Sequence, residues 1–175
     1  MEFTKAKISD IDEIGKLYDS ICDYLQAHEN YPGWKKGSYP TRQTAIDALN
    51  LGELYTAKDK GRIVGSVTLS HKPEEGYANA QWLAESDYGR ILVVYTLAVH
   101  PEYMRRGVGR LLLTEAEKIA QTENCRSMRL DVVKGNAPAE KLYISCGYEY
   151  VQTVSLGYEE YGLNWFDLYE KVLTD

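Results

Sequence analysis

The chain has 175 residues, is 44% hydrophobic and carries a formal net charge of −6 at pH 7. This length suits one globular domain with a substantial core, so we expect a single domain over residues 1–175. The acidic balance argues against nonspecific nucleic-acid binding, and the lack of a membrane-length apolar run or an apolar leader predicts a cytoplasmic protein without nucleic-acid or membrane partners.

The cysteines and histidines are too widely spaced to indicate a disulfide framework or a metal centre. The cysteines are odd in number and form no CxxC pair, which predicts reduced thiols. The histidines lie far apart, without a cysteine or carboxylate partner in a zinc-ligand spacing, so we expect no metal site. These residues are Cys22, Cys125, Cys146, His28, His71 and His100.

The first half of the chain predicts a strand, two helices and a hairpin. Ser9, followed three residues later by Asp12, resembles a capping box at the start of the first helix, and Thr41 is the expected N-cap of the second. A polar turn ending at Gly61 separates two segments rich in β-formers, which predicts an antiparallel hairpin. The expected strands are residues 2–8, 53–57 and 62–70, with a loop over residues 28–40.

The second half alternates strands and helices around one buried strand. Residues 71–89 form the longest polar connection, and loops of this length in compact domains are often functional. Residues 91–99 are almost continuously apolar, which is typical of a strand buried on both faces at the centre of a sheet. A helix to about residue 121, a strand at 127–133, a helix at 137–146 and strands at 148–155 and 165–172 complete a mixed α/β fold.

A glycine-containing turn follows the central strand and opens the next helix. Within residues 104–110, Gly107 and Gly109 permit close approach of a ligand phosphate, and the helix start offers unpaired N–H groups. Three arginines of the same stretch add positive charge. The turn lacks the G-x-x-x-x-G-K-[ST] spacing of a P-loop and the third glycine of a dinucleotide-binding motif, which argues against both classes.

Three segments together resemble the GNAT superfamily of N-acetyltransferases. The first two are residues 97–101 and 104–109, and the second is similar to the family's [Q/R]-x-x-G-x-[G/A] element, whose main-chain amides hold the pyrophosphate of coenzyme A (CoA). Met104 stands where the family has Gln or Arg, but main-chain contacts do not depend on that side chain. The third segment resembles N-x-x-A-x-x-L-Y-x-x-x-G-[F/Y] and matches it at Asn136, Ala139, Leu142, Tyr143, Gly147 and Tyr148.

The third segment also has a purely structural interpretation. Asn136 suits a helix N-cap, and Gly147 suits the left-handed residue that follows a helix. Ala139, Leu142 and Tyr143 suit the core face of the helix between them. Both interpretations stay open from the sequence.

The resemblance implies one domain with a central mixed, mostly antiparallel sheet, splayed at two parallel central strands, with helices on both faces. It also implies acetyl-CoA as cosubstrate, direct attack of a primary amine on the thioester in a ternary complex, and Tyr143 as the general acid. The expected CoA contacts are Leu97, Ala98, Val99, Met104, Arg105, Arg106, Gly107, Val108, Gly109, Arg110, Asn136 and Tyr143.

An amine acceptor needs a group that takes its proton. An amine with a pKa of about 10.4 costs about 4–5 kcal/mol to deprotonate at pH 7, so the site must supply a base, desolvation or both. The carboxylates of Glu75, Glu85 and Asp87 are candidate bases, although each also suits a solvated loop charge. His100 acting through a water molecule is a further candidate.

The acceptor itself has no motif. By the resemblance, Tyr31, Trp34 and Tyr39 border the acceptor side, and the acidic composition favours a small cationic amine, with a protein amine as the other class. Two further hypotheses are a noncatalytic CoA-binding protein on the same scaffold and an interaction domain whose glycines only shape turns. The strand at 165–172 is a candidate edge for a homodimer.

Overall fold

The computed structural model describes residues 1–173, which form seven strands, four α-helices and several short 3-10 turns. The strands are β1 (Glu2–Lys5), β2 (Leu54–Asp59), β3 (Arg62–Ser70), β4 (Ile91–Val99), β5 (Ser127–Val133), β6 (Glu149–Val154) and β7 (Phe166–Val172). The helices are α1 (Ile11–Ala27), α2 (Arg42–Asn50), α3 (Val108–Thr122) and α4 (Ala137–Ser145). Within the same residues, no helix combines the length and apolar character needed to cross a bilayer.

The strands join one mixed sheet in the order β1-β2-β3-β4-β5-β7-β6. β1 pairs with β2, β2 with β3, and β7 with both β5 and β6, all antiparallel. β4 and β5 pair parallel, with α3 in the connection between them. The predicted mixed α/β fold is therefore confirmed. Because β7 has a neighbour on each side, the prediction that it supplies a free sheet edge is wrong.

The two parallel strands separate soon after they meet. Their register runs from Ile91 opposite Ser127 to Val93 opposite Arg129, although both strands continue beyond these pairs. Further along β4, Thr96 adopts a φ of +46°, a left-handed conformation that a β-branched residue rarely takes. The predicted splay of the parallel strands is thus confirmed, and Thr96 marks the distortion in β4.

The chain packs into two compact units, and β4 contributes to both. The first unit contains Met1–Asn30, Trp34–Leu69 and Thr96–Glu115, and the second contains Tyr31–Gly33, Ser70–Tyr95 and the chain from Ala116 onward. In the first unit, the apolar face of α1 is almost fully buried against α2 and the β2–β3 hairpin. α2 begins at its predicted cap, where the Thr41 hydroxyl accepts the Thr44 N–H.

The start of α1 differs from the prediction, and the capping box at Ser9 and Asp12 is wrong. A 3-10 turn that ends at Asp10 precedes the helix. The Asp10 carboxylate accepts the Lys7 N–H at 2.9 Å and forms an ion pair with Lys58 of β2 at 2.7 Å. A contact with a strand distant in sequence therefore overrides the local capping signal, and the same turn ends β1 earlier than predicted.

In the second unit, a buried ion pair fastens the long connection between β3 and β4 to the sheet. Arg129 of β5 and Glu170 of β7 are 3% and 0% exposed, with Nε and Oε1 2.9 Å apart. Glu170 also accepts the N–H groups of Leu83 and Ala84, and Arg129 donates to the Ala84 carbonyl. The guanidinium lies 4.3 Å from the centre of the Trp82 ring. The predicted loop is therefore held against strands β5 and β7.

We expect Arg129→Met to destabilise the protein by about 3–5 kcal/mol, because it leaves the Glu170 carboxylate buried without its cation. Urea unfolding followed by circular dichroism measures the change. Lys36→Met is the matched control, since its ion pair with Asp23 is half exposed and should contribute little to stability. Equal effects of the two substitutions would contradict the anchoring role of Arg129.

Candidate active site

The turn between β4 and α3 has the backbone geometry of an anion-binding loop. Residues 97–99 end β4, and a 3-10 turn at Pro101–Tyr103 follows. Arg105 then has a φ of +60° and Gly107 a φ of +84°, and α3 begins at the next residue, Val108. Left-handed residues turn successive N–H groups towards one side of the chain, and the first N–H groups of a helix have no partner within the helix. This arrangement suits a phosphate group.

The space in front of Gly107 is open. A Cβ atom built there would have no neighbour within 4 Å among the described residues. Arg105, Arg106 and Arg110 are exposed in the same stretch, while Met104 is partly buried. A ligand phosphate at this turn would meet backbone N–H groups and positive charge, so the residues present fit the pyrophosphate of CoA.

A close approach that sequence reasoning missed positions the first turn of α3. A Cβ at Gly65 of β3 would lie 2.8 Å from Cγ1 of Val108 and 2.9 Å from the carbonyl oxygen of Ala98. Side chains do not tolerate such distances from backbone, so the glycine lets α3 begin close against the sheet. The His100 N–H donates to the Val64 carbonyl at 2.8 Å and holds the end of β4.

The His100 ring supports the turn. The Glu102 N–H donates to Nδ1 at 3.2 Å, and the Arg62 guanidinium lies 2.9 Å from Nε2. Both partners can only donate, and a neutral ring accepts at only one of its nitrogens, so these contacts disfavour the protonated ring; burial together with the Arg62 charge lowers the pKa of His100. Both ring nitrogens therefore face protein donors, which disfavours the predicted relay through water.

Two of the three residues predicted on the acceptor side lie beside the distortion in β4. The hydroxyl groups of Tyr39 and Thr96 are hydrogen-bonded at 2.5 Å, and the Trp34 ring packs edge-on against Tyr39 with centroids 6.1 Å apart. The Asn30 side chain bonds both the N–H and the carbonyl of Trp34. Tyr31, the third predicted residue, belongs to the second unit.

Asn136 of the second unit has the structural role that its position suggests. It is the N-cap of α4, and its side-chain oxygen accepts the Ala139 N–H at 3.3 Å. Gly147, which follows the helix, has a φ of +87°. The structural interpretation of these two residues is therefore confirmed, and a contact between Asn136 and CoA stays a prediction.

The buried Tyr143 side chain lies near the end of α4. The side chain packs among the rings of Tyr148 and Tyr169, and burial, followed by the charge of Asp131, raises its pKa well above the usual value. Within residues 1–173 this hydroxyl has no hydrogen-bond partner, yet no fully enclosed polar side-chain atom in that range is unpaired. Tyr143 is 8% exposed, and its raised pKa keeps the hydroxyl protonated at neutral pH, so the hydroxyl is able to donate a hydrogen bond.

A carboxyl group that sequence reasoning missed lies on β5, beyond the last pair with β4. Asp131 accepts a hydrogen bond from the Tyr77 hydroxyl at 2.6 Å, and Glu74 accepts one from Tyr158 at 3.2 Å. Burial outweighs the Tyr77 hydrogen bond and, with the charge of Glu74, raises the pKa of Asp131 to about 6. The available sequence signal was a lone acidic residue inside an apolar strand.

The three predicted bases are exposed on the connection between β3 and β4. Glu75 begins a 3-10 turn, and Glu85 and Asp87 lie shortly before a second one. Among the described residues, no hydrogen bond links any of them to Tyr143. Asp131 differs, because its charge, after burial, contributes to the raised pKa of Tyr143.

Comparison with known proteins identifies the family of the chain. The model of the acetyltransferase (GNAT) family matches residues 17–148. A curated relative, UPF0157 protein YqkA of Bacillus subtilis (strain 168), is 30% identical over 167 residues, which are 95% of this chain and 36% of the relative. The chain thus spans about a third of the length of that protein.

Solved structures share the fold. A GNAT-family acetyltransferase from Streptococcus agalactiae 2603 has a TM-score of 0.81 at 20% identity, covering 99% of this chain and 96% of that one. The ribosomal-protein-alanine N-acetyltransferase of Brucella melitensis has a TM-score of 0.72 at 17% identity, covering 99% and 100%. With the family match over most of its residues, the chain belongs to the GNAT family of acetyltransferases.

Proposed function

We propose that the chain is an acetyl-CoA-dependent N-acetyltransferase in which a primary amine attacks the thioester directly in a ternary complex. The observation that carries this proposal is the turn at residues 104–109, where a left-handed Gly107 with open space before it leads into α3. Acetyl-CoA supplies an acetyl group activated as a thioester. The residues of the chain bind this cosubstrate, hold the amine and handle its proton.

The main chain of the 104–109 turn holds the pyrophosphate. N–H donors at a helix start bind an anion without a particular side chain, which is why Met104 is compatible with binding in place of Gln or Arg. The exposed Arg105, Arg106 and Arg110 add attraction for the phosphates. Residues 97–99 offer the backbone of β4 to the amide groups of the pantetheine arm.

Asp131 is the group best suited to take the proton of the amine. A carboxyl with a pKa of about 6 is mostly ionised at pH 7 and is more basic than an ordinary aspartate, which is the compromise that general-base catalysis requires. The negative charges of Asp131 and Glu74 also favour a cationic acceptor near them. The exposed Glu75, Glu85 and Asp87 are the alternative bases.

Tyr143 stabilises the sulfur atom that leaves. Its raised pKa makes complete proton transfer to a thiolate, whose thiol has a pKa of about 8.5, unfavourable. A hydrogen bond from the phenol lowers the energy of the developing negative charge without that transfer. Donation of a hydrogen bond is therefore the role that the surroundings of Tyr143 support.

The acceptor is a small cationic amine or a protein amine. Trp34 and Tyr39 supply aromatic surface beside Thr96, which suits either class. The structurally similar protein from Brucella melitensis is named a ribosomal-protein-alanine N-acetyltransferase, which is an example of a protein amine as acceptor.

A screen of polyamines, amino acids, aminoglycosides and peptide N-termini, read out by release of the free CoA thiol, should identify an acceptor. Binding of acetyl-CoA without turnover on any amine would support the noncatalytic hypothesis.

We expect Gly107→Trp to abolish acetyl-CoA binding, because the indole occupies the open space in front of the turn. Calorimetric titration with acetyl-CoA measures the loss. Gly61→Trp is the matched control, since Gly61 has the same φ of +84° and equally open surroundings in the turn between β2 and β3. If both variants bind acetyl-CoA as the wild type does, the pyrophosphate site lies elsewhere.

We expect Tyr143→Phe to lower kcat by about 100-fold and to leave the KM for acetyl-CoA within about twofold, because the lost hydrogen bond forms in the transition state. Steady-state kinetics with the best acceptor measures both constants. Tyr148→Phe serves as the control, since the Tyr148 hydroxyl contacts the Met128 sulfur at 3.7 Å inside the core. An unchanged kcat in Tyr143→Phe would remove Tyr143 from this role.

We expect Asp131→Asn to lower kcat/KM at pH 7.5 by about 100-fold. It should also remove the decline in activity that we expect for the wild type as pH falls through about 6. Glu85→Gln is the control on the exposed segment and should keep both the rate and the pH profile. The reverse pattern in the two variants would move the base to the 71–89 segment.

The same variant tests the pKa of Asp131 without any substrate. A carboxyl whose pKa rises on folding destabilises the folded state once it ionises, so Asp131→Asn should be more stable than the wild type above about pH 6. The difference should shrink below about pH 4, where the carboxyl is protonated in both states. A difference in unfolding free energy that stays constant across this window would show that the pKa is not raised.

A further inference from the structure

We propose that His71, Glu123 and Cys125 form a binding site for one zinc ion in the second unit. An imidazole nitrogen, a carboxylate oxygen and the thiol sulfur of these residues lie within 4.8 Å of one another. His71 directly follows β3, whereas Glu123 and Cys125 lie in the turn between α3 and β5. The fold thus assembles three kinds of metal ligand from segments that are 52 positions apart.

The hydrogen bonds of His71 determine which ring nitrogen carries its proton. Nδ1 lies 2.7 Å from the Ile91 carbonyl and 3.0 Å from the Tyr88 carbonyl. Carbonyl groups can only accept, so Nδ1 carries the hydrogen and the lone pair of the neutral ring is on Nε2. Histidines that bind metals in proteins usually donate their other N–H to a carbonyl or carboxylate in this way.

The contact between His71 and Glu123 needs a positive charge between its two atoms. Nε2 lies 3.1 Å from Oε2 of Glu123, and two lone pairs repel each other at that distance. Either a second proton on the ring or a shared cation removes the repulsion. Zinc bonds to nitrogen and oxygen of about 2.0–2.2 Å give a tetrahedral edge of about 3.4 Å, which is close to the observed separation.

The mixture of ligands selects zinc. A thiolate and an imidazole suit Zn²⁺, whereas Mg²⁺ and Ca²⁺ take oxygen ligands. One thiolate and one carboxylate neutralise the two charges of the ion. The side chains of His71 and Glu123 are 39% and 45% exposed, so a water molecule has access to the fourth tetrahedral position. Cys125 is 7% exposed and supplies the inner ligand.

Backbone hydrogen bonds hold the turn that carries two of the ligands. Asn124, between them, has a φ of +56°, and the Cys125 N–H donates to the Ala120 carbonyl of α3 at 2.8 Å. The Arg126 N–H donates to the Arg90 carbonyl at 2.7 Å, which ties the turn to the start of β4. Little backbone entropy is therefore lost when the ligands bind a metal.

The position of the cluster indicates a structural role. Cys125 precedes β5, and Asp131 lies six residues further along the chain, which corresponds to about 20 Å in an extended strand. A cation at this place links His71, which follows β3, to the α3–β5 turn through bonds that the unfolded chain does not make. The hydrogen bond of His71 to the Ile91 carbonyl extends this link to the start of β4. Zinc binding should therefore raise the unfolding temperature.

The test uses the whole chain after removal of metals with a chelator, titrated with ZnCl₂ in a calorimeter. We expect one zinc ion per chain with a Kd of about 1 μM or tighter, and MgCl₂ should show no comparable binding. At a hundredfold excess over Kd, zinc should raise the unfolding midpoint by about 5–10 °C. Titration with Co²⁺ should produce the charge-transfer absorption of a thiolate ligand.

Variants distinguish this site from adventitious binding. Cys125→Ser and His71→Asn should each raise the Kd for zinc by more than about 100-fold, and the Asn retains an N–H donor for the Ile91 carbonyl. Cys146→Ser is the control, because Cys146 is another free cysteine of the second unit and should leave zinc binding unchanged. Circular dichroism and unfolding of the metal-free variants verify the fold. Absence of zinc binding in the wild type, or equal affinity in all variants, would overturn the proposal.

Discussion

The early separation of β4 from β5 is the constraint on which the rest of the structure depends. The parallel strands share three residue pairs, and Thr96 then takes a left-handed conformation inside β4. Such a conformation costs a β-branched residue on the order of 1–3 kcal/mol, so surrounding contacts must hold it in place. The hydrogen bond between the Thr96 and Tyr39 hydroxyls is one of these contacts, and it couples β4 to the loop that carries Trp34. The strained residue Thr96 thus lies in the strand that we assign to cosubstrate binding.

Two acidic residues on neighbouring strands show how burial serves different purposes. Glu170 is fully buried but is neutralised by Arg129, and the Ser127 hydroxyl donates to it as well. Asp131 receives a hydroxyl donor from Tyr77 instead of a cation, so its pKa rises to about 6. The first arrangement stabilises the fold and fastens a long connection. The second lowers stability at neutral pH, a cost that is typical of groups that transfer protons.

The sequence predicted what depends on local pattern and not what depends on distant contacts. Apolar periodicity located the helices and strands, and the spacing around Gly107 located the left-handed turn before α3. The N-cap roles of Thr41 and Asn136 could also be predicted from the sequence, because a cap is formed within four residues. The start of α1 was not, since Asp10 forms its ion pair with a strand far along the chain.

The same distinction applies to the candidate site residues. In the sequence, Asp131 is a single acidic residue in an apolar strand. The fold places Tyr77 and Glu74 near it, and these contacts cannot be read from the sequence. His71 had no ligand partner at a recognisable spacing, and the fold supplies Glu123 and Cys125 from beyond β4. The strain at Thr96 has no sequence signal, because threonine is otherwise a favoured strand residue.

The central claim is that backbone N–H groups at the start of α3 bind the pyrophosphate of the cosubstrate. The most direct test is an amide-resolved NMR titration of the ¹⁵N-labelled chain with acetyl-CoA. We expect acetyl-CoA to shift the amide signals of Gly107, Val108 and Gly109 strongly and to slow their hydrogen exchange. Saturation with dephospho-CoA, which lacks the 3′-phosphate, should shift these three amides equally and should reduce only the changes at the neighbouring arginines. Saturable binding of acetyl-CoA that leaves these three amides unchanged would contradict the account.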